Sequence, residues 1–318
     1  MSDSSGSGRN LALEAVRVTE AAALAASRLM GRGDDEAADR AAITAMHRAI
    51  AKLAIDGAVR FGDNGDLLFP GEKVGAGNGP QVDVAVMALE GPTIIAKGEP
   101  NGLSILAMSE EGGFLNVPDL YMEKIAVGAG LPEGIVSLER APAENLSAVA
   151  DAKDMDIGDL VVCVLDRPRH AQLISQVREA GARIVLIRDG DVSGALGAGW
   201  PESGIDLYMG IGGAPQGVMA AAALNCVGGQ MQARLVYRDD GERHLAQGCG
   251  IHDLDRIWTA AEMANGDVTF AATGVTNGAL LAGVQNHGVH ITHSIVMRSV
   301  TGTVRYIEAH HNFADGRP

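Results

Sequence analysis

Three things are scarce in this chain, and each scarcity closes off a class of function. Cysteine occurs only at Cys163, Cys226 and Cys249. An odd number, in apolar or helical surroundings and without metal-ligand spacing, argues against a disulfide framework or zinc site and predicts buried, reduced thiols in the cytoplasm. Cationic charge is short as well: 25 Lys and Arg against 40 Asp and Glu leave a net charge of −15. Nonspecific nucleic-acid binding draws its affinity from cations on phosphates, so no nucleic-acid partner is expected. A local basic patch can still hold a small phosphorylated ligand. A candidate membrane span is missing too. The apolar stretch 11–30 carries Glu14, Arg17, Glu20 and Arg28, so no membrane span is expected, and no signal-peptide pattern precedes it. Gly210-Ile211-Gly212-Gly213 lacks the full dinucleotide spacing, which argues against a nicotinamide cofactor.

What is present is enough apolar material for a large core: 318 residues, 47% apolar and 20% charged, in one large or two intimate domains. Residues 1–10 are Ser/Gly-rich and predicted to be disordered. Alanine-rich helices are predicted over 11–30 and 35–54. Between them Gly31-Arg32-Gly33-Asp34 forms a loop in which glycine permits an unusual backbone and Asp34 faces a site. Short strands are predicted over 57–61, 82–89 and 104–108. From about residue 159 strands and helices alternate over 160–165, 170–180, 183–187, 191–196, 207–211 and 214–224. That alternation signals an α/β layer with ligands at strand C-termini. A β-branched tail from Asp267 reads as strands that close the sheet. The fold class is α/β in the broad sense, mixed α+β, with an N-terminal part over 11–155 and a C-terminal α/β part over 156–318.

Two turns in the second part invite a ligand. Arg167-Pro168-Arg169 ends an apolar strand, and two arginines around a proline can converge on one phosphate; a solvated basic turn is the plainer reading. Asp189-Gly190-Asp191 ends the next strand. Its carboxylates can accept hydrogen bonds from sugar hydroxyls, or form an ordinary Asp-Gly turn and helix N-cap. His287, His290 and His293 recur every three residues. On a strand that spacing alternates faces, so they read as surface or core histidines without a shared metal, and His310-His311 as tail.

Longer blocks carry a resemblance. They are the run 17–25, Gly31-Arg32-Gly33-Asp34, Gly71-Glu72-Lys73-Val74-Gly75, the run 114–124, Arg167-Pro168-Arg169-His170, Asp189-Gly190-Asp191-Val192, the run 210–215, and Ala272-Thr273-Gly274-Val275-Thr276. In this order, from about Leu11 to Phe313, the chain resembles the class II (bacterial) fructose-1,6-bisphosphatases. The resemblance implies the layered sugar-phosphatase fold of the lithium-sensitive phosphatase superfamily and a homodimer or homotetramer. It also implies substrate contacts at Glu90, Gly91, Tyr121, Arg167, Pro168, Arg169, Asp189, Gly190, Asp191 and Gly213. The first basic position is usually Lys in the family and is Arg167 here, which keeps the charge and adds a bidentate fork.

The family's metal motif is altered in Val82–Pro92. Two-metal phosphoryl transfer needs Mg²⁺ or Mn²⁺ on carboxylate oxygens. Of the family's ligands only Asp34 and Glu90 match, and Asp63 is a displaced substitute for an acidic turn. Met87 replaces an aspartate with a soft thioether, Gln216 replaces a glutamate, and Pro92 removes a hydroxyl and an N–H. The reading is therefore a catalytic set of Asp34, Asp63 and Glu90 around a weak or absent Mg or Mn site. The leading expectation is a protein that binds a phosphorylated sugar and converts it by non-standard chemistry, drawing acid–base groups from these residues, His170, Asp189 and Asp191. The alternatives are a noncatalytic phosphosugar sensor or regulatory subunit, and a residual metal-dependent sugar phosphatase.

Overall fold

A computed structural model of the chain describes residues 11–286 and 289–313. The stretch 1–10 and His287 lie outside the described residues. The chain forms helices α1 (Ala12–Ser27) and α2 (Asp35–Ile50), then β1 (Asp56–Phe61), β2 (Lys73–Val74), β3 (Gln81–Glu90), α3 (Pro92–Lys97) and β4 (Leu103–Glu110). A second set follows: β5 (Tyr121–Val127), α4 (Pro142–Lys153), β6 (Val161–Leu165), α5 (Ala171–Glu179), β7 (Arg183–Ile187) and α6 (Asp191–Ala198). It continues through β8 (Leu207–Gly213), α7 (Ala214–Val227), β9 (Gln230–Val236), α8 (Asp240–Gly248), β10 (Trp258–Thr259) and α9 (Ala260–Met263). The last elements are β11 (Thr269–Gly274), β12 (Gln285–Asn286), β13 (His290–Arg298) and β14 (Thr303–His311).

The chain divides into two compact units. One comprises the residues up to Phe114 together with those from Gly266 onward, and the other runs from Leu115 to Asn265. The sequence suggests a break after residue 155, with the tail in the second part. Instead the tail returns to the first unit, where β11 pairs antiparallel with β4 from Thr269↔Met108 to Gly274↔Leu103. Each unit holds one mixed sheet. The first has the order β12-β13-β11-β4-β3-β1-β2 with β14 beside β13, and the second β10-β9-β5-β8-β6-β7. His310 and His311, read from sequence as tail, lie in β14.

In the first unit α2 is N-capped by Asp34, whose carboxylate accepts from Ala37 N at 2.9 Å. Asp35 and Glu36 in its first turn and Arg48 in its last suit the helix dipole. Helix α1 has no side-chain cap; its hold comes from packing. Ala15, Ala22, Ala23 and Ala26 are fully buried, small enough for close approach to β4, β11 and β13. Thr19 reaches Thr273 Oγ1 at 2.7 Å, and that hydroxyl reaches Ser294 Oγ at 2.8 Å, so these three buried hydroxyls satisfy one another. In the second unit Ile125, Val162, Val164 and Leu207 form a core with Leu146 and Val149 of α4 and Val177 of α5.

Cys163 and Cys226 are buried, and Cys249 is half-buried. Burial, with the charge of Asp191, pushes the Cys163 thiol up to about 12, which makes it unreactive. Among the described residues no helix is long and apolar enough to cross a membrane.

Candidate functional site

In the first unit β1 and β3 run parallel, from Asp56↔Gln81 to Phe61↔Ala85, so the segments leaving their C-terminal ends emerge at one edge. The loop after β1 carries Asp63. A Cβ at Gly62 would lie 1.9 Å from Leu68 O, so only glycine lets this loop close. Asp63 N donates to Leu68 O at 3.0 Å, and Asp63 Oδ2 accepts from Gly65 N at 2.8 Å. Strand β3 ends at Glu90, which is 3% exposed. Gly91 then takes the left-handed conformation (φ 77°) and turns the chain into α3, with Pro92 in its first turn. The loop bearing Asp34 is pinned to that helix: Gly31 N and Gly33 N donate to Ile95 O and Ala96 O, each at 2.9 Å. Asp34, Asp63 and Glu90 thus come from three segments tied to one edge. Met87 sits half-buried on β3 opposite Ile105, just before an irregularity in the ladder.

Two residues at this edge escape a reading by sequence. Burial, then the charges of Asp63 and Asp35, push the Asp39 carboxyl up to about 6. The available signal was helical spacing, since Asp35 and Asp39 are four apart on α2. Thr93, next to Pro92, is exposed in the first turn of α3 and puts a hydroxyl just after the Gly91 turn.

The donor chemistry suits a hard cation. Oxygen ligands are available from Asp34, Asp63 and Glu90, and the crowding of like charge at Asp39 is what a cation relieves. The set is nevertheless open: among the described residues no group of three His, Cys, Asp or Glu is arranged to hold a metal ion.

The second unit is organised differently. Strands β6, β7 and β8 are parallel, and their C-terminal ends deliver Arg167 to Arg169, Asp189 and Gly213 to one edge. Tyr121 opens antiparallel β5 there, paired with Gly213 on one side and Val236 on the other. Its exposed ring lies against two guanidinium groups, with Arg169 Cζ 4.8 Å and Arg238 Cζ 5.9 Å from the centroid. Arg238 is another residue missed by sequence reasoning, because only the β5–β9 pairing brings it to Tyr121. A cavity of about 320 Å³ adjoins Arg169 and is also lined by Arg140 and Gln172.

The basic turn is held by its own backbone. Arg169 Nε and Nη2 donate to Ile211 O at 2.9 and 2.7 Å, and Arg167 Nη1 donates to Asp166 O at 3.1 Å. Pro168 opens the short 3-10 turn that ends at His170. His170 is buried; its Nε2 accepts from Ile211 N and its Nδ1 faces Leu165 O, both at 2.7 Å. That pairing fixes the neutral Nδ1–H tautomer, and burial holds the ring's pKa below its ordinary value. Both nitrogens are committed, so His170 pins the turn to β8 instead of serving as an acid–base group.

The two aspartates after β7 diverge. Asp189 is half-buried, with one oxygen accepting from Gly190 N at 3.1 Å. Gly190 is left-handed (φ 95°) and caps α6. Asp191 turns inward, where its carboxylate accepts from Lys124 Nζ and Tyr208 OH. Gln216 lies in the first turn of α7 against Gly213: a Cβ on Gly213 would be 1.9 Å from Gln216 Oε1.

Comparison with known proteins identifies relatives along the whole chain. The family described as bacterial fructose-1,6-bisphosphatase, glpX-encoded, matches residues 9–311. The chain is 40% identical to the D-fructose 1,6-bisphosphatase class 2/sedoheptulose 1,7-bisphosphatase of Synechococcus sp. (strain JA-3-3Ab), over 95% of each chain. It is likewise 40% identical to that of strain JA-2-3B'a(2-13), over 95% of each. With that of Synechococcus elongatus (strain ATCC 33912 / PCC 7942 / FACHB-805) the identity is 38%, over 96% of this chain and 97% of the relative. The chain therefore belongs to the class II, bacterial fructose-1,6-bisphosphatase family, within the lithium-sensitive phosphatase superfamily.

Proposed function

We propose that this protein is a metal-dependent sugar bisphosphatase whose cation affinity is lower than that of its relatives. Fructose 1,6-bisphosphate and sedoheptulose 1,7-bisphosphate, the sugars in the relatives' names, are the candidate substrates. The observation that carries the reading is the exposed Tyr121 ring against the guanidinium groups of Arg169 and Arg238. It supplies the Arg169 cation, a second guanidinium that is ion-paired with Glu242, and a flat apolar face, a combination suited to an anionic sugar. Full-length likeness to bisphosphatases favours residual hydrolysis over the non-standard chemistry that the altered motif suggests by itself.

In this reading Arg167 and Arg169 bind a phosphate, Tyr121 packs on the sugar, and Asp189 accepts from a hydroxyl. Asp34, Asp63 and Glu90 would hold Mg²⁺ or Mn²⁺. The cation, when bound, neutralises phosphoryl charge and acidifies a water. The hard-ligand shortfall at Met87 and Gln216 weakens that hold. The buried thiols suit a reducing compartment, so the cytoplasm is the proposed location, and a homodimer or homotetramer the proposed assembly.

The test is phosphate release from both sugars across a Mn²⁺ and Mg²⁺ titration, for wild type beside the Met87→Asp/Gln216→Glu variant. Wild-type turnover that saturates only at higher metal than the variant's is the expected result. Turnover undiminished by a chelator would point back to non-standard chemistry. Sugar binding without wild-type turnover at any metal concentration would leave the noncatalytic sensor.

A further inference from the structure

The second unit contains a buried ion pair that the mechanism above does not use. Lys124, in the middle of β5, is 1% exposed. Its Nζ donates to Asp191 and, at 3.0 Å, to Gly213 O. The other Asp191 oxygen accepts from the hydroxyl of Tyr208, a fully buried residue of β8. Two glycines clear the space. A Cβ on Gly212 would lie 2.0 Å from Asp191 Oδ2 and 2.9 Å from Lys124 Nζ, and one on Gly217 would lie 2.6 Å from Met122 S.

Stability does not account for this arrangement. Taking an ammonium and a carboxylate out of water costs more than most pairs return, and an apolar replacement is often neutral or better. What the pair does is geometric. Three chain-distant elements meet at it: β5, the first residue of α6, and the far end of β8, where Gly213 faces Tyr121 across the ladder. Lys124 links the Asp189 to Asp191 turn to the Gly213 carbonyl, and Tyr208 fixes the rotation of the Asp191 carboxylate.

We propose that Lys124 and Tyr208 are positioning residues for sugar recognition: they set the Asp189 to Asp191 turn and Gly213 at a fixed spacing, so that the sugar's hydroxyls are read as well as its phosphate. This rests on the proposed function. It predicts a split between the sugar and the phosphate alone, since Arg167 and Arg169 stand on a different turn, pinned by His170.

The experiment is calorimetric binding of fructose 1,6-bisphosphate and of inorganic phosphate to wild type, Tyr208→Phe, Lys124→Met and Lys124→Arg, with melting temperatures alongside. Tyr208→Phe should weaken sugar bisphosphate binding about five- to tenfold, less than the effect of one lost hydrogen bond to a charged group because the hydroxyl acts through the turn and not on the sugar, and leave phosphate binding unchanged. Lys124→Met should show a larger split, and Lys124→Arg should recover part of it. Should Lys124→Met fail to fold, Tyr208→Phe decides alone. Variants that melt earlier yet bind both probes like wild type overturn the inference and leave a structural role only. Equal weakening for both probes overturns it too. Wild type that binds neither probe brings down the proposed function and this inference together, whereas wild-type binding with an unchanged Tyr208→Phe brings down the inference alone.

Discussion

The two strand-end edges that carry the candidate residues solve opposite electrostatic problems. In the second unit the cations are already housed: Arg169 is fixed on Ile211 O and Tyr121, and Lys124 on Asp191 and Gly213 O. Little reorganisation is needed before an anion arrives, which is the condition for strong electrostatic recognition. In the first unit burial, and after it the charges of Asp63 and Asp35, push the Asp39 carboxyl up to about 6. That edge improves when a cation comes. On the proposed function, one edge is preorganised for an anion, and the other presents carboxylates whose mutual repulsion a cation would offset.

The largest expected effect breaks the preorganised side. On the proposed function Arg169→Ala removes a phosphate contact and one face of the Tyr121 stack, and it should raise KM for sugar bisphosphate about 30- to 100-fold, in line with a lost charge-assisted pair. Next, Met87→Asp adds a hard ligand to the carboxylate side. Its apparent Mn²⁺ affinity in a metal titration should rise about tenfold, as a carboxylate does for an oxygen-ligated cation. The same variant should melt earlier than wild type in chelator and recover when Mn²⁺ is added.

The two edges should also respond to acid with opposite signs, measured by hydrogen exchange at each. Asp39 has a raised pKa, so the folded state holds more protons than the unfolded state between pH 3.8 and about 6. Its contribution therefore improves as pH falls through that window. His170 has a lowered pKa, and the unfolded chain binds the extra proton below about 6.5. Its contribution is present above that pH and is lost as pH falls. Acidification from pH 7.5 to 5 should thus raise protection around α2 and reduce it around Ile211. Equal responses would undo the contrast. The smallest effect is that of Asp39→Asn. Removing one like charge should raise the melting temperature slightly in chelator at pH 7.5 and shrink the stabilisation produced by Mn²⁺.

Much of the fold was legible locally. The alanine runs predict α1 and α2 because alanine loses least on entering a helix, and apolar runs bounded by turns predict β1, β3, β4 and β6 to β8. The return of the tail was not legible. The β-branched pattern of β11 and β13 announces strands, but a strand's partner is a long-range choice, and the tail pairs with β4 across more than a hundred residues. The site divided the same way. Tyr121, Arg169 and Gly213 could be named from motifs, while Arg238, Asp39, Lys124 and Tyr208 could not. Each of those acts through a neighbour brought close by sheet pairing or helix packing.

By itself the sequence determined the residue types at the two edges: carboxylates at one, paired arginines at the other, and glycines at Gly91 and Gly190 where the backbone turns left-handed. The tertiary structure decided what those types do. Asp189 and Asp191 are two residues apart and chemically identical, yet one is half-buried at the edge and the other is sealed beneath Lys124 and Tyr208. The physical reason is that a carboxylate's role follows from its solvent and its partners, and only the packing of α6 against β5 and β8 supplies them.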